Sequence, residues 1–475
     1  MSKVYLVGAG CGAVDLYTNK ALKLIKSADC IIYDRLVDPQ ILELSKNECE
    51  IIYVGKQAGN HTLKQEEINE LLVTKAKHYD QVVRLKGGDV YVFGRGGEEA
   101  LHLLHNHISF EVVPGISSSI AGLAYAGIPI THRSVSQGFH VYTAHSKDNT
   151  LSNLDFKQML KDDETYVFLM GLGQLQTIVT NLIKVGKKKS TPIALISNAS
   201  LPTQQTIVST LENILADFKN QPLPSPMLIV VGNVVNLRKE LNFFEKKSLY
   251  KTSILVTKIG KETSKISEIL REHNPILNEV TTGTITYTNL PVPNLKNYDY
   301  LIFTSHHGII GFFESLKNQS IDFRKLAHLK MMCIGNKTAQ TLKQYGFIAD
   351  FIPSKANSII MNQEIESKLI NQKVLLITGD TQPAITGNYD HFLVYTNQKV
   401  KLEDSSKHYD YACFTCASSV KRLKANTHIT FTKAISIGPL TSQAISELYP
   451  DCRIIEVENT TLEDVASTLL KDSTL

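Results

Sequence analysis

The chain has 475 residues, too many for one ordinary core and enough for about three or four domains. Its 50 Lys and Arg against 46 Asp and Glu leave a net charge of +4 with no basic block, which argues against electrostatic binding of DNA or RNA. No apolar run reaches the roughly 18–20 residues that span a bilayer, the start MSKVYLVGAG reads as a strand where a leader would carry its apolar core, and seven scattered cysteines make no disulfide framework, so a soluble cytoplasmic protein without a membrane partner is expected.

The apolar runs VYLV (4–7), CIIY (30–33), IIYV (51–54), VVRL (82–85) and FEVV (110–113) read as buried strands, with helical stretches at 19–28 and 64–77 between them. This alternation predicts an α/β lobe over about 1–113 with a mostly parallel sheet. GAGCGA (8–13) follows the first strand and Asp34 ends the second, which is the spacing of a dinucleotide fingerprint. In such a site the helix begins at the third small residue, so that its amides meet the pyrophosphate. Here VDLYT (14–18) intervenes and Thr18 is the expected N-cap, so the turn ends short of the helix. A nicotinamide-dependent enzyme stays open as the alternative.

RLKGGDVYVFGRGGEEA (84–100) is a second glycine loop, at the end of the fourth strand, where ligands bind in open α/β sheets. Gly87 and Gly88 let a ligand approach the backbone, and Asp89 offers a carboxylate to hydroxyls or an ammonium. VVPGISSS (112–119) and MGLG (170–173) are further small-residue turns at strand ends. Four such turns, without the lysine of a phosphate-binding loop, suit a neutral or cationic nucleoside better than a triphosphate. His102, His105 and His107 lack a Cys or acidic ligand at metal-binding spacing, so no metal is expected.

A second series of apolar runs, at 139–145, 165–171, 191–198, 204–210 and 226–232, predicts a second α/β lobe over about 114–240. The charged stretch 237–253 precedes a fresh apolar start, ILVTK (254–258), and 241–252 reads as a linker. Beyond it the chain repeats. YDYLIFTSHHGI (298–309) matches YDYACFTCASSV (409–420), and MCIGNKTAQTLKQYGFIADFIP (332–353) matches ISIGPLTSQAISELYPDCRIIEV (435–457). In this register Cys413 occupies a strand position and Cys416 the turn position of Ser305, so the CxxC spacing is incidental.

GAGCGAVDLYT, YDRLV (33–37), GK (55–56), RLKGGDVYVFGRGGEE, VVPGISSS, YAGIPITHR (125–133) and FLMGL (168–172) resemble, in order and spacing, the tetrapyrrole methylase family and within it the uroporphyrinogen-III C-methyltransferases. The resemblance implies S-adenosylmethionine as methyl donor and a two-lobed α/β protein, usually a homodimer, with its site between the lobes. It implies donor-binding positions at Cys11, Gly87, Gly88, Asp89, Val92, Ser117, Ser118, Met170 and Ala199. Asp34 and Lys56 fall where the family places a proton acceptor and donor; Arg95 joins this catalytic group, and Arg35, Glu98 and Arg133 fall among substrate contacts. A guanidinium stays charged and makes a poor base, so Arg95 and Arg133 are assigned to the carboxylates of a polyacidic tetrapyrrole.

Residues 252–475 are similar to the uroporphyrinogen-III synthases, through ILVTK, DYLIFTSHHGI, CIGNKTA, VLLITGD (374–380), FTCASS (414–419) and SIGPLTS (436–442). The resemblance implies two flavodoxin-like lobes, about 253–286 with 397–475 and about 287–396, joined by two crossing segments. Hydroxymethylbilane would be closed to a macrocycle with its last ring inverted. Such a substrate cyclises readily, so hydroxyls rather than a nucleophile are expected: Tyr395 and Thr441 at implicated positions, with Ser305, Thr338 and Ser418 as substrate contacts. For Ser305 and Ser418, capping a helix is an equal alternative. The two units together would catalyse consecutive steps ending at precorrin-2, the alternative being a C-terminal module that holds tetrapyrrole without catalysis.

Overall fold

A computed structural model describes residues 2–55, 63–144, 154–260, 262–355, 358–380, 385–402 and 405–474. The chain forms two units, Met1–Thr252 with Leu270–Ile276 and Ser473–Leu475, and Ser253–Ile269 with Leu277–Asp472.

Five of the apolar runs become the strands β1 (Lys3–Gly8), β2 (Cys30–Tyr33), β3 (Glu50–Tyr53), β4 (Gln81–Lys86) and β5 (Ser109–Val113). They pair in parallel in the order β3-β2-β4-β1-β5. Both faces are covered, which is why the runs are apolar without alternation. Val4, Leu6, Ile32 and Val82 pack with Leu72 and Leu103, while Val7, Ile31, Val83 and Leu85 pack with Ala21 and Ile25 on the other side. Thr18 caps the helix Asn19–Ser27, accepting from the Ala21 amide at 3.2 Å. A single 3-10 turn, Val14–Leu16, separates this helix from the first glycine turn, so the helix N-terminus stands away from it as anticipated.

The second lobe holds β6 (Gly138–Thr143), β7 (Glu164–Leu169), β8 (Pro192–Ser197), β9 (Gln205–Thr210) and β10 (Met227–Val231) in the order β6-β7-β10-β8-β9. Only β6 and β7 run parallel; the other pairs are antiparallel. The charged stretch after this sheet is docked, because its apolar residues find partners. Phe244 is buried edge-on to Tyr125 (4.8 Å), Leu249 is buried, and Glu245 accepts from Arg238 (2.7 Å) and Gln204 (2.8 Å).

The second unit is built on β11 (Ser253–Ile259), β12 (Ile276–Tyr287), β13 (Tyr300–Phe303), β14 (Lys330–Cys333), β15 (Val374–Gly379), β16 (Asp390–Lys399), β17 (His408–Phe414), β18 (Thr430–Ser436) and β19 (Arg453–Glu456). Their order is β14-β13-β15-β16-β12-β11-β17-β18-β19. The first strand, β11, pairs in parallel with β17 and so completes the C-terminal lobe. The antiparallel pair β12–β16 forms the two crossing segments, from Gly283 opposite Lys399 to Tyr287 opposite Tyr395. Each copy of the repeat has its own core, around Phe303, Phe312 and Leu375 in one and Phe414, Val420 and Phe431 in the other. The helices His306–Asn318 and Ala417–Asn426 begin at Ser305 and Cys416, as the repeat register requires, while Cys413 is buried in β17. Both cysteines are free.

Candidate active sites

The turns that leave β1 and β4 stay paired beyond the sheet. Ala9 N donates to Lys86 O (2.7 Å), Gly10 N to Gly88 O (3.1 Å), and Gly88 N to Gly10 O (2.6 Å). Gly115, after β5, closes onto them: a Cβ on Gly8 would lie 2.6 Å from Gly115 Cα, and one on Gly115 would lie 2.6 Å from Gly8 C. These two positions are glycine because backbones touch. Gly88 is glycine for another reason, its left-handed φ of +72°. A Cβ there would meet nothing within 4 Å, so this flank of the backbone is open to a ligand.

At Gly87 a neighbouring side chain takes the space a Cβ would fill. A Cβ on it would lie 2.5 Å from Leu36 Cβ, so the missing side chain makes room for Leu36, two residues beyond Asp34. Asp89 also turns inward: Oδ1 accepts from Tyr91 N (2.8 Å) and Val92 N (3.2 Å), and Oδ2 from Gly115 N (3.1 Å). It ties the second glycine loop to the third and keeps one further lone pair for a ligand. From the other lobe, Ser200 Oγ lies 3.1 Å from Cys11 Sγ and accepts from Ala13 N (3.1 Å), while a Cβ on Gly12 would lie 3.0 Å from Ala199 O. Burial pushes the Cys11 thiol up, keeping it neutral. Hydrogen bonds and close packing thus tie Cys11 to Ser200, Gly12 to Ala199, Gly88 to Gly10 and Asp89 to Gly115. Val92 lies in the turn Asp89 organises, Ser117 caps the helix that Ser118 begins, and Met170 directly follows β7 at φ +56° and is 48% exposed.

Tyr33, Asp34, Arg35, Val37, Pro39 and Tyr53 line a recess of about 380 Å³ at the ends of β2 and β3. Asp34 Oδ1 accepts from Leu36 N (3.2 Å) and Oδ2 faces Arg84 Nη2 (3.5 Å). Behind it lies a charge network that sequence reasoning missed. Arg84 and Lys86 alternate along β4 and reach Glu99 Oε1 at 3.2 and 2.8 Å, joined by Gln65 Nε2 at 3.2 Å. Arg84, Lys86 and Glu99 are all buried. Burial and then Arg84 push the Lys86 ammonium below its usual range. The signal was two charges at i and i+2 in an otherwise apolar strand, both aimed at one face. These charges of the glycine loop therefore lie inside the lobe.

Arg95 has φ +58° at the start of the helix Gly96–His105 and grips Glu98 through Nε–Oε1 (2.9 Å) and Nη2–Oε2 (2.6 Å). The two expected substrate contacts are thus paired with each other at the surface, and the carboxylate raises the guanidinium further. Arg35 and Arg133 are exposed and make no ion pair among the described residues. Lys56 lies outside the described residues. His102 stands 3.0 Å from Glu70.

In the second unit, Tyr395 lies on β16 opposite Gly379, where a Cβ would lie 2.5 Å from its ring. Ser305 Oγ donates to the Tyr395 hydroxyl (3.0 Å) and accepts from Gly308 N (3.0 Å), so it caps the helix and orients the tyrosine at once. His307 lies with its ring 5.7 Å from that of Tyr395 and its Nδ1 3.2 Å from Tyr287 Oη. The His306 ring lies tilted against that of His307, their centres 4.0 Å apart. Burial, then His307 and Lys337, push His306 down to about 4, and burial lowers His307, so both imidazoles are neutral at neutral pH. This pair was not singled out from sequence. Thr338 and Thr441 occupy matching places in the repeat and are both buried, whereas Ser418 is exposed, 3.2 Å from Cys416 Sγ.

The first unit thus combines a parallel α/β lobe whose strand ends are locked by glycine turns with a mixed-sheet lobe, and the second is a duplicated strand–helix unit. Residues 3–215 match the family model of Tetrapyrrole (Corrin/Porphyrin) Methylases, and residues 286–466 that of Uroporphyrinogen-III synthase HemD. The chain is 33% identical over 496 residues to the porphyrin biosynthesis protein HemD of Ruminiclostridium josui, covering 98% of this chain and 97% of that one. It is 38% identical over 356 residues to the uroporphyrinogen-III C-methyltransferase of Bacillus subtilis (strain 168), covering 74% and 73%. Among solved structures, uroporphyrin-III C-methyl transferase from Thermus thermophilus complexed with S-adenyl homocysteine is 38% identical and covers 50% of this chain and 100% of that one, at a TM-score of 0.44. The chain belongs to the tetrapyrrole methylase family, in the form that carries a HemD-type synthase unit on the same polypeptide. No helix among the described residues is long and apolar enough to cross a membrane.

Proposed function

We propose that the C-terminal unit closes hydroxymethylbilane to uroporphyrinogen III with inversion of ring D, and that the N-terminal unit methylates this product at C2 and C7 from S-adenosylmethionine to give precorrin-2. The observation that carries the reading is the adjacency of two features: the open flank at Gly88 and the recess lined by Asp34, joined where Leu36 packs on Gly87. The residues fit this donor. The flank is bare backbone, Val92 and Met170 offer exposed apolar surface, and Lys86 is held by Glu99, so the cradle favours a neutral nucleoside with a cationic sulfur over a phosphate. Cys11, Gly87, Gly88, Asp89, Val92, Ser117, Ser118, Met170 and Ala199 would hold it.

The donor supplies a methyl group already activated on a sulfonium, which leaves placement and proton removal to the protein. Asp34, with one oxygen held by the Leu36 amide, keeps acceptor capacity toward the recess and takes the proton that the macrocycle loses when a substituted ring carbon is methylated. Lys56 returns a proton in the same reading. Arg95 and Arg133 take substrate carboxylates. Exchanging Glu98 for a substrate carboxylate costs Arg95 little, because an exposed ion pair contributes about 0–1 kcal/mol. In the C-terminal unit Tyr395 accepts from Ser305, which leaves its own proton to donate to the leaving hydroxyl. Thr441, buried with its amide donating to Gly438 O (3.0 Å), is the second hydroxyl of the same reading.

Incubation with hydroxymethylbilane and methyl-labelled S-adenosylmethionine tests the whole reading. The expected product is labelled, dimethylated type III macrocycle. Formation of only the uninverted isomer, with normal methylation of added uroporphyrinogen III, would assign the C-terminal unit a binding role.

A further inference from the structure

We infer that Arg84, anchored by Glu99, is a positioning residue that aims the Asp34 carboxylate into the recess; this rests on the reading of Asp34 as proton acceptor. Arg84 sits in the middle of a parallel sheet, between Leu6 and Ile32, at 3% exposure. Placing a guanidinium there costs several kcal/mol unless it is well paired, and an apolar residue would pack at least as stably. Its donors are allotted. Nε goes to Glu99, and Nη1 to Leu85 O (3.1 Å) and Ile32 O (3.4 Å). Nη2 is the edge turned outward, and it faces Asp34 Oδ2 at 3.5 Å.

Charge balance points the same way. Arg84 and Lys86 are two buried cations, and Glu99, at 0% exposure, is one buried anion whose Oε1 takes Arg84, Lys86 and Gln65 while Oε2 has no hydrogen-bond partner among the described residues. Glu99 therefore holds both cations from one side, and the remaining positive charge is directed to Asp34 at the mouth of the recess. A separation of 3.5 Å is longer than the roughly 2.7–2.9 Å of a tight charge-assisted bond. Arg84 thus orients the carboxylate without occupying it, and the Leu36 amide fixes the other oxygen. Aim on both sides is what a base needs when a small misplacement costs about a hundredfold in rate.

A double-mutant cycle on the full chain tests this, with Asp34→Asn, Arg84→Met and the double variant assayed for methyl transfer to uroporphyrinogen III. Arg84→Met is expected to lower kcat about 10–100-fold with donor affinity kept, and in the Asp34→Asn background to lower it less than about twofold further. Arg84→Lys, which keeps charge but shortens reach, is expected to recover part of the loss. Multiplying losses in the double variant would overturn the inference and leave Asp34 as the base. Full activity of Asp34→Asn alone would instead remove the underlying reading and the inference with it. Should Arg84→Met not fold, Glu99→Gln releases the same anchor at similar volume and is judged by the same non-additivity.

Discussion

The two units build their sites from opposite materials. Around Asp34 the protein buries charge and locks backbone: Arg84, Lys86 and Glu99 form a network inside the sheet, and Gly8, Gly88 and Gly115 interlock above it. Around Tyr395 the described partners are a serine, a second tyrosine and two imidazoles held neutral. The contrast follows the chemistry proposed for each. Methyl transfer to carbon asks for a fixed in-line approach and a group that takes a proton, both of which reward rigid, preorganised charge. Closure of a substrate that loses water readily asks for shape and a hydrogen bond to the leaving group, for which neutral donors suffice.

The sharpest way to break the comparison is within the cradle, where neighbouring glycines have different reasons to be glycine. Gly115→Ala drives a Cβ into the backbone of Gly8 and Gly88, so the turns must separate. We expect a loss of about 1–3 kcal/mol in unfolding free energy of the N-terminal unit, together with weaker donor binding. Gly88→Ala meets no atom, and its left-handed φ costs about 1–2 kcal/mol. Its side chain enters the open flank, so Kd for S-adenosylmethionine is expected to rise about tenfold or more. Denaturant unfolding and calorimetric titration of both variants separate the two roles; unchanged donor affinity in Gly88→Ala would place the donor elsewhere.

A smaller effect tests the neutral site. Tyr395→Phe removes one hydroxyl and leaves the ring on Gly379, so hydroxymethylbilane closure is expected to slow about tenfold, with methylation of added uroporphyrinogen III unchanged. Ser305→Ala should slow closure less and in addition cost about 1 kcal/mol through the lost cap. Product analysis by isomer reads both. Equal closure rates in Tyr395→Phe and the parent would remove that hydroxyl from the reaction.

What was legible in the sequence was local. Strands buried on both faces announce themselves as uninterrupted apolar runs, Thr18 declared a helix start, and the repeat placed Cys416 where Ser305 stands. The glycine turns marked the cradle, since few other residues fit where backbones touch. What was hidden depends on contacts between distant positions. Arg84 meets Glu99 fifteen residues later and Asp34 fifty residues earlier, and only the order β2-β4 brings the latter near. The packing of Leu36 on Gly87 was hidden in the same way, because that side chain comes from another strand end. The stretch 241–252 looked like a tether because its charge is visible in the sequence and the burial of Phe244 and Leu249 is not.

The mildest prediction sets the two units against each other in acid. His306 is held down to about 4 by burial, His307 and Lys337, against an ordinary 6.5. As the pH falls below 6.5 the unfolded chain binds a proton there that the folded unit refuses, so stability is full above that value and declines toward pH 4. In the N-terminal unit Glu164 is held down to about 2 by Lys161, with His140 and Tyr166 assisting, against an ordinary 4.5. Its contribution is full above pH 4.5 and fades only as the pH drops toward 2. Between pH 6.5 and 5 the C-terminal unit should therefore soften first. Calorimetry of the full chain at several pH values should show one transition moving down in that window, and His306→Asn should flatten its movement. Parallel movement of both transitions would mean that imidazole burial does not distinguish the two sites.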